Sequence, residues 1–430
     1  MRITSSTIYF LFAAVPSISV AANDGWSTEV RYEYRHYRDE SVQAAGSITP
    51  AQISAASARG IIIPSSTTTG PKPGDELGSI VFIPQYQTTL ASGTKFNFTG
   101  FIRYDDEDEE RSHADIREMV WAYQTNWGAT PWDVRLGIDK VYWGVAESNH
   151  LVDVVNQLDL VESITKEDKM GQPMARFNTK TSWGNFELLA LPYFRDETAP
   201  GPYGRLRAPV SYSVSPVRFE DPARRSHLDF ATRWSQRYSM GDLGIHYFRG
   251  TNRTPRISQD SSVITSANPI GQVLNYDQMW QAGIDGSLIQ GDWIFKGEYI
   301  SRHTALDTYY AAVGGFEYVF SQAFGSDIDV NLFFERNIDA RGYQQAVLQN
   351  DNFFGARFSF NDPQSTTFQI GIMRDQQDYS KSIRWEASRR LTDKMSLKVN
   401  GFFFADIPDE NLISSISHDT YYQLSLAYHY

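Results

Sequence analysis

The sequence contains no cysteine and no long hydrophobic run. Without cysteine the chain can form no disulfide bond, no thiolate metal site and no lipid-anchored N-terminal cysteine. After residue 22, no stretch approaches the 18 continuous apolar residues that a membrane-spanning helix needs, so helical spans are excluded. The net charge of −12 argues against a nucleic-acid partner.

Residues 1–22 have the form of a secretory signal peptide. They contain one basic residue, Arg2, then an apolar stretch, then Ala21 and Ala22, and we expect cleavage after Ala22. The stretch is too short, and too interrupted by Pro16, for a membrane-spanning helix; a buried N-terminal helix is the alternative. Its removal leaves 38 basic against 51 acidic residues, a formal charge of −13, and residues 23–430 as the folded part.

Aromatic residues are abundant for a chain whose mean hydropathy is −0.41. They amount to 24 Tyr, 26 Phe and 10 Trp, and many lie in segments of about ten residues in which apolar and polar residues alternate. In the final segment, QLSLAYHY, the residues Leu424, Leu426, Tyr428 and Tyr430 share one face. Such segments, separated by turn signals, are typical of a barrel that is apolar outside and polar inside.

Eighteen segments of this kind follow one another along the chain. Their connections alternate between short turns rich in Gly, Asn, Asp and Pro and connections that are mostly long and polar, as in outer-membrane barrels with short periplasmic turns and long external loops. The sequence therefore predicts an all-β fold, a transmembrane antiparallel β-barrel of about 18 strands, whose last strand pairs with the first because an open edge in lipid would leave backbone groups unpaired. The predicted strands lie near residues 26–38, 79–90, 95–105, 114–125, 132–143, 174–183, 186–195, 227–238, 242–250, 275–288, 292–302, 309–321, 327–336, 351–360, 366–375, 381–391, 396–405 and 419–430.

Charged residues alternate with the apolar ones on these strands. A charged side chain at the lipid midplane costs about 2 to 4 kcal/mol, so we expect the charges to face a wet lumen. An eighteen-stranded barrel is wide enough for an aqueous channel unless loops fill it. For any one charge, an ion pair that braces the wall is the alternative role. The arginines predicted to line the pore are Arg31, Arg35, Arg135, Arg233, Arg237, Arg357, Arg384 and Arg390.

Two external loops have unusual compositions. Residues 41–78 are rich in Ser, Thr, Ala, Gly and Pro, which predicts a mobile surface loop. Residues 105–110 are all acidic, and we expect them to be solvated on an external hairpin. The alternative is that divalent cations tie this acidic run to lipopolysaccharide phosphates.

The third external loop, residues 144–172, contains too many apolar residues for a solvated loop. Exposure of residues such as Leu151, Val154 and Val155 would forgo about 1.5 to 3 kcal/mol each. We therefore expect this loop to fold into the lumen and pack against the inner wall; a loop folded over the outer rim is the alternative. In the inward arrangement the constriction residues Asp153, Asp159 and Glu162 face inward arginines.

The sequence around this loop runs Trp-Gly at residues 143–144, an acidic residue at 147, Asp-Val-Val-Asn at 153–156 and Asp-Leu at 159–160, a pattern called the Trp-Gly signature below. With this signature, the loop and the two strands after it resemble an uncharacterised family of proteobacterial outer-membrane proteins. The chain departs from the family at Gln157, where the family usually has Pro, and the resemblance covers about sixty residues. It implies a Gram-negative outer-membrane β-barrel, for uptake of bulky or hydrophobic small molecules. In general porins, which this chain resembles in strand and loop count, the third loop narrows the lumen and homotrimers are common. The matching positions are Trp143, Gly144, Glu147, Asp153, Val154, Asn156, Asp159, Leu160, Leu189, Pro192 and Phe194.

The sequence favours an integral outer-membrane channel for diffusion or facilitated uptake of small solutes through a polar, charge-lined pore. The alternative is a carrier for hydrophobic or aromatic small molecules, and a structural or adhesin barrel with a blocked lumen is a further one. A carrier would use a track of inward-facing aromatic residues, for which the candidates are Phe101, Trp143, Phe248, Phe333, Phe402 and Phe404.

No set of Ser, His and acidic residues converges in the predicted barrel, so we expect no phospholipase or protease activity. The sequence predicts no cofactor and no metal. The expected partners are outer-membrane lipids and lipopolysaccharide, small-molecule solutes, a second and third copy of the chain, and the barrel-assembly machinery. The last of these is expected because a terminal strand ending on an aromatic residue resembles the signal that the machinery reads.

Overall fold

A computed structural model describes residues 24–39, 73–207, 211–265, 268, 270–343 and 345–430. The predicted signal peptide and most of the loop 41–78 lie outside these residues. The described residues form 21 strands: β1 Gly25–Tyr37, β2 Glu76–Thr89, β3 Lys95–Asp105, β4 Ala114–Trp127, β5 Thr130–Asp139, β6 Gln172–Thr181, β7 Gly184–Leu191, β8 Val217–Phe219, β9 Asp229–Tyr238, β10 Gly241–Thr251, β11 Arg256–Gln259, β12 Gln272–Tyr276, β13 Gln278–Gln290, β14 Trp293–His303, β15 Thr308–Phe320, β16 Asp329–Asp339, β17 Asn350–Ser359, β18 Thr367–Asp375, β19 Lys381–Arg390, β20 Met395–Ala405 and β21 Tyr421–His429.

Helical structure among the described residues is limited to single 3-10 turns. They lie at Glu109–Arg111, Tyr212–Val214, Arg224–Ser226, Ser261–Val263, Ala323–Gly325 and Ser414–Ile416. In this part of the chain no helix has the length and apolar character needed to cross a membrane.

Eighteen of the strands form one antiparallel sheet that closes on itself. Each barrel strand pairs with the next one along the chain, and β21 pairs with β1, where Leu426 lies opposite Tyr32. Closure removes the open edges that a flat sheet would have. The predicted all-β barrel is confirmed, and the predicted strand ends differ from the observed ones by at most about four residues, within the ordinary uncertainty of strand boundaries.

The connections at one end of the barrel contain two to eight residues, whereas most of those at the other end are longer. The turns between β4 and β5 and between β13 and β14 contain two residues each, and Gly128 and Gly291 adopt a φ of +62° there. A side chain rarely adopts this left-handed conformation, which is why glycine occupies both positions. The long connections lie at the opposite end of the barrel.

Two of the long connections together form a small sheet that the sequence did not predict. β12 pairs with β8 in parallel and with β11 in antiparallel orientation. These strands have three to five residues, too few for alternation to be visible. Phe194 and Phe219 pack on Tyr276 at this sheet, with ring centroids 4.8 and 5.5 Å from that of Tyr276.

The two faces of the barrel wall differ in chemistry. Ile284, in the middle of β13, lies opposite Ile245 and Tyr299, and all three side chains point outward and are exposed. On the inward face, Glu33 and Arg35 of β1 are buried. Aromatic rings gather on the outer face near the short turns, as in the pair Trp127 and Trp132 with centroids 4.8 Å apart.

Closure of the barrel can be tested by a disulfide bond, because the chain has no cysteine of its own. We expect Tyr32→Cys combined with Leu426→Cys to form a disulfide, since directly opposed residues of an antiparallel pair are within disulfide distance. The product is a covalent ring, which migrates differently from the linear chain on a denaturing gel without reductant. Tyr32→Cys with Ser425→Cys is the control, because Ser425 points to the other face. Equal cross-linking of both pairs, or of neither, would contradict the observed register.

Candidate functional site: the loop inside the barrel

Residues 140–171, which connect β5 to β6 and are called the inner loop below, lie inside the barrel. Val141, Trp143, Val152, Val154 and Val155 are buried in one cluster with inward-facing residues of the wall. The first half of the inner loop therefore packs along the inner face and not over the outer rim. The wall residues of this cluster are Met174 on β6, Leu189 and Leu191 on β7, Ala231 on β9, Phe248 on β10, Met279 on β13, Ile300 on β14 and Ala311 on β15.

The backbone of the inner loop is held by a carboxylate of the wall. Glu298 on β14 accepts hydrogen bonds from the N–H groups of Val145 at 2.8 Å, Ala146 at 2.9 Å and Val152 at 3.1 Å. A backbone N–H group that was buried here without a partner would cost about 1 to 3 kcal/mol. Gly144 is needed at this point, because its φ is +109° and a Cβ there would lie 2.5 Å from the Glu298 carboxylate.

A second wall carboxylate continues this contact. Glu335 on β16 accepts the N–H groups of Glu147 and Ser148, both at 2.8 Å. The Glu147 side chain in turn meets Lys296 at 2.5 Å and Arg357 at 3.4 Å. Burial raises the pKa of Glu147 to about 7, and the charges of Lys296 and Arg357 oppose that shift. The irregular backbone of the inner loop can be buried here because Glu298 and Glu335 of the wall accept hydrogen bonds from its N–H groups.

The base of the inner loop is closed by the side-chain amide of Asn156. It donates to the carbonyl oxygens of Asp139 and Met170, at 2.9 and 3.0 Å, and accepts the N–H of Val141 at 2.8 Å. Only an amide side chain offers two donors and an acceptor in this way. The contact joins the start of the inner loop to its end.

The second half of the inner loop is tied to the opposite part of the wall. Asp159 accepts a hydrogen bond from Arg117 on β4 at 2.5 Å, and Glu162 accepts one from Arg103 on β3 at 2.8 Å. Glu167 is paired with Arg384 on β19. The inner loop therefore crosses the barrel interior and is anchored on both sides of it.

Burial opposes the charged form of Asp159, but its neighbours outweigh that effect. The nearby His113 ring, the charge of Arg117 and hydrogen bonds from Thr198 and Arg117 hold the pKa of Asp159 below its usual range. The same neighbourhood acts on His113, whose Nε2 lies 3.6 Å from Asp159 and 3.8 Å from Glu162. Burial lowers the pKa of His113, yet these two acids raise it overall above its ordinary value.

The structure places the three predicted constriction acids in different roles. Asp159 and Glu162 meet the wall arginines Arg117 and Arg103. The expectation that Asp153 faces an inward arginine is wrong, because Asp153 is paired with Lys169 of the inner loop itself. Lys169 also donates to the Val141 carbonyl oxygen at 2.6 Å, so this pair stiffens the inner loop and does not face the wall.

The eight arginines predicted to line the pore all lie on the inward face, and each has partners. Two of them contact acids of the inner loop: Arg357 contacts Glu147, and Arg384 contacts Glu167. The others have partners on the wall or at its turns: Arg31 with Glu29 and Glu33, Arg35 with Gln423, Arg135 with Asp139, Arg233 with Asp285, Arg237 with Asp242, and Arg390 with Ser365.

Sequence reasoning missed Arg117 because of a β-bulge. Alternation along β4 puts Arg117 on the same face as Trp121 and Tyr123, which point outward. The register with β3 shifts between Thr99 and Gly100, so that Arg117 is an extra residue and its side chain turns inward. The sequence did contain a signal. Strict alternation would place the charged Arg117 on a face that is otherwise apolar and turned toward lipid, which is unfavourable.

The inward aromatic residues proposed as an apolar track are mostly packed away. Phe101, Trp143, Phe248, Phe333 and Phe404 are each at most 8% exposed. Several lie under arginine guanidinium groups, as Phe101 does under Arg117 at 4.5 Å. Phe402 packs on Tyr421, with ring centroids 6.3 Å apart. These rings fill space between wall and loops and form no open surface.

The expectation that residues 105–110 are simply solvated is also wrong. Asp105 and Asp108 are buried, and Asp105 pairs with Arg111 at 2.9 Å and accepts from Ser79 at 2.5 Å. Asp108 caps the 3-10 turn Glu109–Arg111 by accepting the Glu110 N–H. Two of the six acidic residues thus shape the hairpin from within, since a short carboxylate side chain can bind nearby backbone N–H groups.

A second segment, residues 196–207, also crosses the barrel. It begins after β7, yet Arg205 donates to Asp419, before β21, at 2.7 Å and to Asp75, before β2, at 2.8 Å. Thr198 donates to Asp159 of the inner loop at 2.7 Å, which joins the two crossing segments. The external end of the barrel is therefore narrowed at two levels.

Some side chains of the inner loop remain exposed inside the barrel. Tyr142 is 58% exposed, and its ring centroid lies 4.1 Å from Nζ of Lys169. Lys166 and Asp168 are exposed as well. Enclosure by the barrel, with the acids Glu162 and Glu167 nearby, raises the pKa of Asp168 to about 6. The solvent that these side chains contact is the solvent of the lumen.

Among the described residues, no group of three or more His, Asp or Glu side chains is arranged to hold a metal ion. No protein-family model matches the chain, and no curated protein sequence matches it. The family with the Trp-Gly signature therefore stays a prediction.

Several solved barrels are distantly similar. A triple mutant of the Rhodopseudomonas blastica porin is 11% identical with a TM-score of 0.42, over 94% of this chain and 99% of its own. Wzi of Escherichia coli, described as an outer membrane protein involved in group 1 capsule assembly and as a carbohydrate-binding β-barrel, is 10% identical with a TM-score of 0.49, over 93% and 83%. The closed barrel of this chain is shown by its own strand pairing.

The His113 contacts predict a pH dependence of stability. Because the pKa of His113 is raised in the folded state, its stabilising contribution is full below about pH 6.5 and is lost as the pH rises through the folded-state pKa. The free energy of unfolding in urea should therefore fall more between pH 6 and pH 8.5 in the wild type than in His113→Gln. His418→Gln, in an external loop, should behave like the wild type. Identical pH profiles for His113→Gln and the wild type would contradict this role.

Proposed function

We propose that the protein is an outer-membrane channel that admits small polar solutes past the inner loop. The observation that carries this proposal is the inner loop itself. It is tied to both sides of the wall, yet it leaves Tyr142, Lys166 and Asp168 exposed to solvent inside a closed barrel. A wetted interior with fixed polar and charged side chains is what a diffusion channel needs.

The outer face supports a membrane location. Its exposed side chains include Ile245, Ile284 and Leu332 in the middle of their strands and aromatic residues such as Trp127 and Trp293 near the short turns. In water this apolar belt would be costly, whereas in lipid it is favourable, and aromatic residues suit the interface at its edge. A closed antiparallel barrel also leaves no unpaired edge in hydrocarbon. The short turns would then face the periplasm.

The contents of the lumen support small polar solutes over hydrophobic ones. The exposed side chains on the inner loop carry both signs of charge, as Lys166 and Asp168 do. The inward aromatic residues are covered, so the described part of the chain offers no continuous apolar path for a hydrophobic carrier. Two crossing segments narrow the passage, which favours selection by size, with local charge as the second criterion.

Asp168 offers a direct test of the proposed path. We expect Asp168→Lys to shift the reversal potential in a KCl gradient toward anion preference, because it reverses an exposed charge in the lumen. The measurement is made in planar bilayers at pH 8, where Asp168 is ionised because its pKa is about 6.

Asp409→Lys is the matched control for this measurement. Asp409 is exposed in the last external loop, and the substitution makes the same change of charge. It should leave the reversal potential close to that of the wild type. An unchanged potential for Asp168→Lys, or no conductance in the wild-type protein, would count against the proposed channel.

Ile284 tests the membrane location separately. We expect Ile284→Arg to lower the free energy of unfolding in phospholipid vesicles by about 2 to 4 kcal/mol, the cost of a charged side chain near the bilayer midplane. Ile264→Arg is the control, since Ile264 is similarly exposed but lies in an external loop, and it should change stability by no more than about 0.5 kcal/mol. Equal effects of the two substitutions would contradict a lipid-facing wall.

A further inference from the structure

One row on the outer face of the barrel carries cations and an amide, whereas the rows next to it on the side of the short turns are apolar. Strand pairing places Arg336 of β16 opposite Asn352 of β17, Asn352 opposite Arg374 of β18, and Arg374 opposite Lys381 of β19. These four residues form a continuous line across four strands, here called the cationic row.

The side chains of the cationic row point toward the surroundings of the barrel. They share strand parity with Leu332, Ile338, Phe354 and Ile372, which are exposed on the outer face. The intervening residues, such as Glu335, face the lumen and contact the inner loop. The cationic row is therefore on the same surface as the apolar belt.

The row lies toward the external end of the barrel wall. Arg336 is three residues before the end of β16, and Lys381 is the first residue of β19; both lie beside connections at the end of the barrel opposite the short turns, residues 340–349 and 376–380. In the proposed orientation this level lies near the head groups of the external leaflet. The cost of an arginine on a barrel wall falls there to about 0 to 1 kcal/mol, so the row does not conflict with a membrane location.

The two arginines of the row lack acidic partners within the described residues. No described carboxylate lies within 4.0 Å of Arg336 or Arg374, whereas Lys381 is paired with exposed Asp406 at 2.6 Å. Arg336 donates to the neutral amide oxygen of Asn352 at 2.8 Å. The guanidinium of Arg374 lies 5.0 Å from the ring centroid of Tyr379, which is exposed. The row therefore presents unneutralised positive charge.

Below the cationic row, on the side of the short turns, the same four strands present three consecutive apolar rows. Each apolar row runs across β16, β17, β18 and β19 in the same register. They are Phe334, Phe354, Ile372 and Ile383; then Leu332, Ala356, Ile370 and Trp385; then Val330, Phe358, Phe368 and Ala387. A line of cations above apolar rows matches an anionic head group above hydrocarbon chains.

We propose that the cationic row binds the phosphorylated head group of a lipid in the external leaflet, with the lipid chains lying on the three apolar rows. This inference rests on the membrane location in the proposed function. Arginine binds phosphate through two parallel hydrogen bonds, and a basic residue near an anionic membrane surface contributes about 1 kcal/mol. Neighbouring strands lie about 4.8 Å apart, so the two arginines without acidic partners, Arg336 and Arg374, are about 10 Å apart along the row. This width fits a head group with two phosphates better than one with a single phosphate.

The site is local to this side of the barrel. At the external ends of β1, β2 and β3, on the other side of the seam formed by β20 and β21, the exposed residues include Glu76, Asp106 and Glu107. Acidic residues at that rim would repel a phosphorylated lipid. The charge distribution therefore directs such a lipid to β16–β19.

The test measures lipid binding to the purified full-length protein in detergent micelles by native mass spectrometry. The probes are lipid A with two phosphates, its monophosphorylated form and zwitterionic phosphatidylethanolamine. We expect the first to bind most tightly, and Arg336→Gln with Arg374→Gln to weaken it by about 30-fold, the loss of two charges at about 1 kcal/mol each. The unfolding temperature of the double variant without lipid should match that of the wild type.

Arg249→Gln is the matched control, because Arg249 of β10 also points outward near an external strand end but lies between Phe230 and Trp280, without other cations in its row. It should leave binding unchanged. Equal binding by the double variant and the wild type, or equal loss in Arg249→Gln, would overturn the proposed site. Complete competition by inorganic phosphate would also overturn it, because the apolar rows would then contribute nothing. The lipid-binding test does not depend on conductance, so a protein without conductance could still bind the lipid as proposed. Equal effects of Ile284→Arg and Ile264→Arg, by contrast, would contradict the membrane location on which the lipid site rests.

Discussion

A barrel of eighteen strands encloses more space than its own inward side chains can fill, and this width governs the rest of the structure. Apolar residues of the inner wall, such as Phe248 and Ile300, would face water if the lumen were empty. The inner loop covers them with its valines. In the proposed channel, the remaining passage is bordered by polar and charged side chains. One segment would then both bury the inner wall and leave a wet passage.

The inner loop has no regular secondary structure, yet it is well buried. Its backbone N–H groups are satisfied by the carboxylates of Glu298 and Glu335, which belong to strands far from it in the chain. The residues of the Trp-Gly signature serve this arrangement. Gly144 allows the close approach to Glu298, Asn156 joins the two ends, and Asp159 meets Arg117. The signature is thus explained by how the loop is held, independently of any solute.

The sequence predicted the barrel well because alternation and turn signals are local and repeat eighteen times. The inner-loop acids Asp159 and Glu162 were identifiable from the apolar character of the segment. Arg117 was not, because a bulge changes parity without altering composition. The predicted partner of Asp153 was wrong. Whether Asp153 pairs with Lys169 or with a wall arginine depends on the path of the loop, which the sequence does not show. Long-range partners of this kind are set by the closed structure and not by neighbours in the chain.

The two crossing segments also have a mechanical consequence. A ring of hydrogen-bonded strands resists stretching along its circumference but can be flattened into an oval by lateral pressure. Arg205 connects the segment after β7 to the ends of β1, β2 and β21 across the ring, and the inner loop connects β3 and β4 to β14, β16 and β19. The two segments cross the barrel interior in different directions, so together they oppose flattening in more than one direction. The cross-section of the barrel is therefore fixed from within, and in the proposed membrane location changes in bilayer tension should alter it little.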